Sequence, residues 1–138
     1  DVATDYANQR VQFGRPIGKF QAIQHQLALL AEQTALASAA AEMAFASSSV
    51  ERGPSALAIA AAKSVPSEAA GQGAAIAHAV LGAIGFTYEH SLHFTTRRLW
   101  SWRSEYGSQT HWAQQLGNTL CSKGGTGIWP AITTAAAI

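Results

Sequence analysis

The sequence predicts an all-α fold, an antiparallel bundle of four to five helices, and three observations predict it. Alanine fills 29 of the 138 positions, and alanine has the highest intrinsic helix propensity. Apolar residues recur three and four apart over long stretches, while no alternating pattern runs beyond a few residues, so the period is that of a helix. Glycine and proline gather at a few points and cut the chain into pieces of helical length. Apolar residues make up 48% of the chain, enough for one core at single-domain length, and short connections make successive helices antiparallel neighbours.

The first helix is expected from Val2 to Phe13, ending at Gly14-Arg15-Pro16-Ile17-Gly18, where two glycines and a proline break the pattern. The second runs from Phe20 to Val50. Ile23, Leu27, Leu30, Thr34, Ala37, Ala41 and Ala44 form one seam along it, and Leu29, Leu36, Met43 and Val50 form another. A helix apolar on more than one face needs cover on more than one side, and part of that cover is open to a partner subunit. Arg52-Gly53-Pro54-Ser55 is a break with Ser55 as N-cap, and a third helix follows from Ser55 to Leu81. Pro66 lies within it and should kink or split it, because proline lacks the donor a helix interior needs. Gly82-Ala83-Ile84-Gly85-Phe86 reads as a turn, Tyr88 to Trp102 as a shorter helix and Ser108 to Ser122 as the last one. Residues 1–122 thus form the helical domain. Residues 123–138, opening on Gly124-Gly125-Thr126-Gly127, read as a flexible tail.

Charge argues against several function classes. Charged residues are only 12% and the formal net charge is +1, so no overall field recruits nucleic acid or a membrane surface. Arg97, Arg98 and Arg103 gather near Trp100, Trp102 and Trp112, which suits Arg–Trp packing on a half-exposed helix; the other basic residues are dispersed, whereas a nucleic-acid surface needs a clustered stripe. No uninterrupted apolar run reaches the length of a bilayer span. The single cysteine, Cys121, excludes an internal disulfide framework and fits a reducing, cytoplasmic setting. The chain opens on Asp1 without a methionine or a signal core, as an internal piece of a longer protein would.

Side chains able to do chemistry are few. His90 and His93, three apart on one helix, could present two ligands together, but no cysteine and no full carboxylate set accompanies them, so no metal site is expected. His25 and His78 lie in apolar stretches and read as hydrogen-bonded core histidines. No phosphate-cradling glycine loop follows a strand, and no nucleophile–histidine pair stands out.

Two segments say more. Tyr6-Ala7-Asn8-Gln9-Arg10-Val11-Gln12-Phe13-Gly14-Arg15-Pro16-Ile17-Gly18-Lys19-Phe20-Gln21-Ala22-Ile23-Gln24-His25 resembles the Arg-x-x-Phe-Gly turn, Pro-Ile pair and Phe-Gln-x-x-Gln-His helix start of the acyl-CoA dehydrogenase family. Leu81-Gly82-Ala83-Ile84-Gly85-Phe86-Thr87-Tyr88-Glu89-His90-Ser91-Leu92-His93 is similar to that family's Gly-Gly-x-Gly-Phe turn and the aromatic and glutamate after it. Order and spacing match the family's C-terminal helical domain over residues 1–122. The family's N-terminal helical and middle β-domains would precede Asp1.

The resemblance implies an FAD-dependent oxidoreductase. Such an enzyme removes the proton next to the thioester carbonyl of acyl-CoA, passes a hydride from the β-carbon to flavin, releases 2-enoyl-CoA and hands its electrons to an electron-transferring flavoprotein. It also implies a homo- or hetero-oligomer, and an inactive fragment where the β-domain is missing. By the resemblance, Arg10 reaches the FAD pyrophosphate of a neighbouring subunit, Gln12 and Phe13 follow in that contact, and Gln21 is a further nucleotide contact. Ala79, Gly82 and Ala83 match the Gln-x-x-Gly-Gly run at the adenosine half of the cofactor, with Ala79 in place of the glutamine and Ala83 in place of the second glycine. Glu105-Tyr106-Gly107-Ser108-Gln109 resembles the family's Tyr-Glu-Gly-Thr turn with its first two residues exchanged. That makes Glu105 the candidate base and Gln109 a candidate cofactor contact. Glu89 is a second candidate base, and other branches of the family carry the base upstream. The alternative reading is a non-catalytic assembly subunit of the same fold.

Overall fold

The computed structural model describes residues 1–48, 53 and 55–136. The described residues hold six α-helices and one two-stranded sheet: α1 (Val2–Gln9), β1 (Val11–Gln12), β2 (Arg15–Pro16), α2 (Gln21–Ala46), α3 (Ala56–Leu81), α4 (Leu92–Trp102), α5 (Gln109–Cys121) and α6 (Ile128–Ala136). Short 3-10 turns occupy Ile17–Lys19, Gly82–Phe86 and Gly125–Gly127. The class is all-α, with more helices than the four to five expected. The chain divides into two compact units, Asp1–Ala35 with Ala69–Trp102, and Leu36–Glu68 with Arg103–Ile138.

In the first unit, α1 buries Ala3 and Ala7, one turn apart on one face. It ends at Gln9 rather than Phe13. Arg10 turns to extended backbone, its N–H still donating to the Tyr6 carbonyl at 2.8 Å. Val11 and Gln12 then pair antiparallel with Pro16 and Arg15. The two residues between the strands, Phe13 and Gly14, have φ +53° and +77°. Positive φ at both loop positions is the signature of a type I′ hairpin turn, and the helix cannot pass through them. The α1 alanines meet Ile17, then Ala77, Val80 and Leu81 of α3, and Leu92 of α4, with Ile23, Leu27 and Leu30 of α2 packed against this core. A side chain at Gly73 would sit 3.3 Å from Leu30, and Ile23 shares a cavity with Val80, so these stretches of α2 and α3 run antiparallel.

In the second unit the buried apolar side chains are alanines, Ala40, Ala58 and Ala60, and α5 buries none of its own. Leu36 (48% exposed) and Phe45 (82%) are open on two different faces of α2. The helix stops at Ala46, with the Ser47 and Ser48 hydroxyls donating back to the Ala44 carbonyl. Val50, Arg52 and Pro54 of the expected helix end and break lie outside the described residues.

Pro66 neither ends nor splits α3, which is one helix from Ala56 to Leu81. Proline costs such a helix one backbone hydrogen bond, and burial along both halves (Ala58, Ala60, Ser67, Ala69, Ala74, Ala77) offsets it. Ala56–Phe86 is long and apolar enough, at mean hydropathy 1.3, to cross a membrane by length and composition; ten of its residues are instead buried in this fold. Gly82, at φ +66°, ends α3 in the left-handed conformation that glycine adopts without a Cβ penalty.

α4 starts at Leu92, four residues after Tyr88, because residues 87–91 form bends and turns. His90 Nδ1 accepts the Leu92 N–H at 3.1 Å and caps the helix. Ser108 caps α5 by accepting from the His111 N–H at 3.2 Å. Beyond Ser122 the chain forms a 3-10 turn and α6.

Candidate functional site

An open cavity of about 620 Å³ lies in the first unit. One wall comes from the α1 end and the hairpin, with Tyr6, Arg10, Gln12 and Phe13. The other comes from the last turn of α3 and the turn after it, Ala79 to Ile84, and Ile17, Phe20 and Ile23 form its apolar floor. Six of the sequence-predicted cofactor contacts therefore share one concavity: Arg10, Gln12, Phe13, Ala79, Gly82 and Ala83. The two groups are about seventy residues apart in the chain and meet because α1 and α3 pack on the same core.

Local geometry explains how the cavity presents these residues. The Arg10 backbone is fixed twice, its N–H on Tyr6 and its carbonyl accepting the Ile17 N–H at 2.8 Å. Its guanidinium is exposed and, among the described residues, pairs with no carboxylate. Phe13 is 92% exposed at the hairpin tip, held by an edge contact to Phe20 at 6.1 Å. The Arg15 guanidinium covers the Phe20 ring at 4.2 Å, a cation–π contact that ties the hairpin to the start of α2. A Cβ added at Gly82 would meet no atom within 4 Å, so the backbone of this turn is bare where a ligand would approach it. An unpaired guanidinium, an amide, an exposed ring and an open glycine edge form a set that fits a dinucleotide, whose phosphates need a bidentate donor and close backbone approach.

Gln21 is exposed at the first position of α2 and does not line the cavity. Gln24, the second glutamine of the same motif, is the residue tied to this region, donating to the Gly18 carbonyl at 3.1 Å. Glu89 is exposed in the turn before α4.

Glu105 and Gln109 belong to the second unit, where Gln109 Nε2 donates to Glu68 Oε2 at 3.3 Å. Three side chains hold the carbonyls of the turn that carries Glu105. Ser67 Oγ donates to Arg103 at 3.0 Å, Lys63 Nζ to Glu105 at 2.7 Å and Trp112 Nε1 to Tyr106 at 2.9 Å. Tyr106 and Gly107 have φ +57° and +106°. A non-glycine residue held left-handed is strained unless its surroundings determine it, and these three donors do so. The Glu105 carboxylate is left exposed on a fixed backbone. Lys63 and Ser67 went unnoticed in the sequence because they precede the turn by about forty residues and bind backbone, which leaves no motif. Gly107→Ala is expected to destabilise the chain, since φ +106° alone costs about 1–3 kcal/mol and the new Cβ would lie 2.7 Å from Trp112 Nε1. A denaturant titration followed by tryptophan fluorescence measures it, and an unchanged midpoint contradicts it.

The remaining candidates take other roles. His25 is exposed, not a core residue, because its face of α2 turns away from the Ile23–Leu27–Leu30 seam. His93 is buried and donates through Nδ1 to the His90 carbonyl at 2.7 Å, so this pair builds the entry to α4. Arg97 and Arg98 line an exposed groove on α4 with Phe94 and Trp102; the observed cation–π contact is the one at Phe20. Cys121 is an exposed free thiol.

Comparison with known proteins identifies the family. The family model described as acyl-CoA dehydrogenase, C-terminal domain, matches residues 1–109. The chain is 39% identical over 119 residues to acyl-CoA dehydrogenase FadE34 of Mycobacterium tuberculosis, covering 84% of this chain and 16% of that protein. It is 38% identical over 97 residues to acyl-CoA dehydrogenase IpdE2 of the same organism, covering 70% and 29%. It is 38% identical over 90 residues to glutaryl-CoA dehydrogenase of Desulfococcus multivorans, covering 65% and 23%. The chain thus spans under a third of the length of these curated relatives. With the family's domain model matched over most of its residues, the chain belongs to the acyl-CoA dehydrogenase family, as its C-terminal helical domain.

Proposed function

We propose that this domain is part of an FAD-dependent acyl-CoA dehydrogenase that oxidises acyl-CoA to 2-enoyl-CoA, and that the cavity between the hairpin and the Gly82 turn is its share of the FAD site. The observation that carries the reading is the convergence of Arg10, Gln12 and Phe13 with Ala79, Gly82 and Ala83 on one concavity. Arg10 supplies a bidentate cation for paired phosphate oxygens. Gly82 allows the backbone to approach the nucleotide, and Phe13 offers a ring face at the rim. FAD, when bound, accepts the hydride that leaves the β-carbon of the acyl chain. The protein's task in the other half of the reaction is to take the α-proton, and we assign it to the Glu105 carboxylate. The family's habit of completing the FAD site with a second subunit makes an oligomer part of the proposal. The exposed apolar side chains of α2, Leu36 and Phe45, support it, since obligate interfaces are more apolar than ordinary surface. Acyl-CoA is the proposed substrate and an electron-transferring flavoprotein the proposed acceptor.

The test is flavin retention by the full-length protein carrying this domain. Its visible spectrum should show bound flavin. Arg10→Ala should weaken FAD binding by about ten- to a hundredfold, the equivalent of one charge-assisted hydrogen-bonded pair, and Arg10→Lys should fall between the two because it keeps a point charge without the fork. Equal retention in Arg10→Ala and the parent would overturn the assignment of Arg10. A parent that stays colourless after FAD addition would favour the non-catalytic assembly subunit, to which the alanines at positions 79 and 83 already lean.

A further inference from the structure

We propose that His78 is the positioning residue of the candidate FAD cavity, holding the Gly82–Phe86 turn in the shape that keeps the cavity's glycine edge open. The proposal rests on the cofactor reading above for its consequence, and on packing alone for its cause. His78 lies in the last turn of α3, immediately before the wall residues Ala79 to Ile84. Its ring is buried and stacks on Phe86 at the far end of the turn, 4.3 Å between centroids and 23° between planes. It also lies nearly parallel to Trp100 of α4, at 5.9 Å and 15°. A Cβ added at Gly85 would sit 3.3 Å from His78 Nδ1, so the imidazole edge closes the space beside Gly85. The ring thus touches both Gly85 and Phe86 of the turn and joins them to α3 and α4.

Hydrogen bonding fixes the state of the ring. Thr96 Oγ1 donates to the Leu92 carbonyl at 3.3 Å and lies 3.0 Å from His78 Nε2. The hydroxyl has one proton, so Nε2 carries the hydrogen and donates to Thr96. Nδ1 is then a bare lone pair, buried and without a partner. A protonated ring would bring a second N–H to Nδ1 with nothing to receive it, at the cost of an unsatisfied buried donor. Burial accordingly pushes the imidazole below its ordinary value of 6.5.

The groups that meet the ring are uncharged: Thr96 and Trp100 from α4, and Gly85 and Phe86 from the turn. The turn holds no titratable side chain. Those of the neighbouring segments are Tyr88, Glu89 and His90 after the turn and His93, Arg97 and Arg98 on α4, and among the described residues none has a hydrogen bond or ring contact with His78. Protonation is therefore not relieved by a neighbour. The native form binds fewer protons than an opened form, so the clamp is at full strength above pH 6.5 and weakens as the pH falls below it.

The test compares the full-length protein with its His78→Gln and His78→Ala variants. Glutamine keeps an N–H for Thr96 but cannot titrate; alanine removes both stack and bond. Amide hydrogen exchange at residues 82–86 needs no flavin. It should be about tenfold faster in His78→Ala than in the parent, with exchange in α5 unchanged and most protection restored in His78→Gln. In the parent, protection of the turn should also fall by up to about tenfold per pH unit below 6.5, and this dependence should be absent from His78→Gln. FAD affinity, measured in parallel, should follow the same profile. Exchange at 82–86 that ignores both the substitution and the pH overturns the proposal. If the turn responds as expected but no protein in the set binds FAD, the clamp stands and the cofactor reading falls. If FAD binds and its affinity is equal in all three proteins at every pH, the positioning role is refuted and the cofactor reading stands.

Discussion

Glu105→Gln in the full-length protein is expected to lower turnover of acyl-CoA by about 10²–10⁴-fold, the usual contribution of a positioned general base, with acyl-CoA binding retained. Glutamine copies the shape of the carboxylate and its hydrogen-bonding reach but cannot take a proton. The expectation rests on how the turn is built. Donors from Lys63, Ser67 and Trp112 hold the carbonyls of residues 103, 105 and 106, so the backbone that aims Glu105 is set before substrate arrives. Such preorganisation is what lets a carboxylate act without reorganising at each turnover. The readouts are kcat and KM, together with washing of the α-proton of a saturated acyl-CoA into deuterated water, which reports the base without the hydride step. Full turnover in Glu105→Gln would move the base to Glu89 or to a residue preceding this domain. The same substitution at Glu89, where no comparable set of side-chain donors holds the backbone, separates those two outcomes.

The helices were legible because their signals are local. Apolar residues three and four apart and the glycine at position 82 each act over one or two turns, and α2, α3 and α5 stand close to where those signals put them. The errors fall where a distant contact decides. The end of α1 is lost to a hairpin whose strands are two residues long, too short for an alternating pattern to register. Pro66 stays inside α3 because burial on both sides outweighs one lost hydrogen bond, and burial is not a sequence property. His25 reads as core and is exposed, because burial follows from which helix face meets a neighbour. Half of the candidate site was visible through the resemblance. Arg10 and Gly82 are motif residues, and their meeting needed only that α1 and α3 share a core. The parts that hold them could not be read. Gln24 on Gly18, Lys63 on Glu105 and His78 against Phe86 each join a side chain to backbone or to a ring through contacts that leave no pattern in the chain.

Leu92→Ala is expected to destabilise the first unit by about 2–5 kcal/mol, the usual cost of a buried leucine truncation. The core around it mixes small and larger side chains, Ala3 and Ala7 from α1, Ile17, and Ala77, Val80 and Leu81 from α3. Small residues let the helix backbones approach closely, but they leave few large side chains to fill space, so Leu92, 4% exposed, supplies a large part of the packing. Ala3, Ala7 and Ala77 have no rotamer to swing into a void at position 92. The turn also loses support, since a side chain at Gly85 would lie 3.2 Å from Leu92 Cδ2, and the Thr96 hydroxyl that receives the His78 bond donates to the Leu92 carbonyl. Loss of stability should therefore come with weakened FAD retention at temperatures well below the unfolding midpoint. Leu36→Ala, on the exposed stripe of α2 at 48%, sets the scale for a chain without a partner, where the cost should stay below about 1 kcal/mol. In an assembled oligomer that covers the stripe, the same substitution should cost more and should depend on protein concentration. Equal costs for the two leucines in dilute monomer would mean that the buried alanine core does not carry the stability assigned to it.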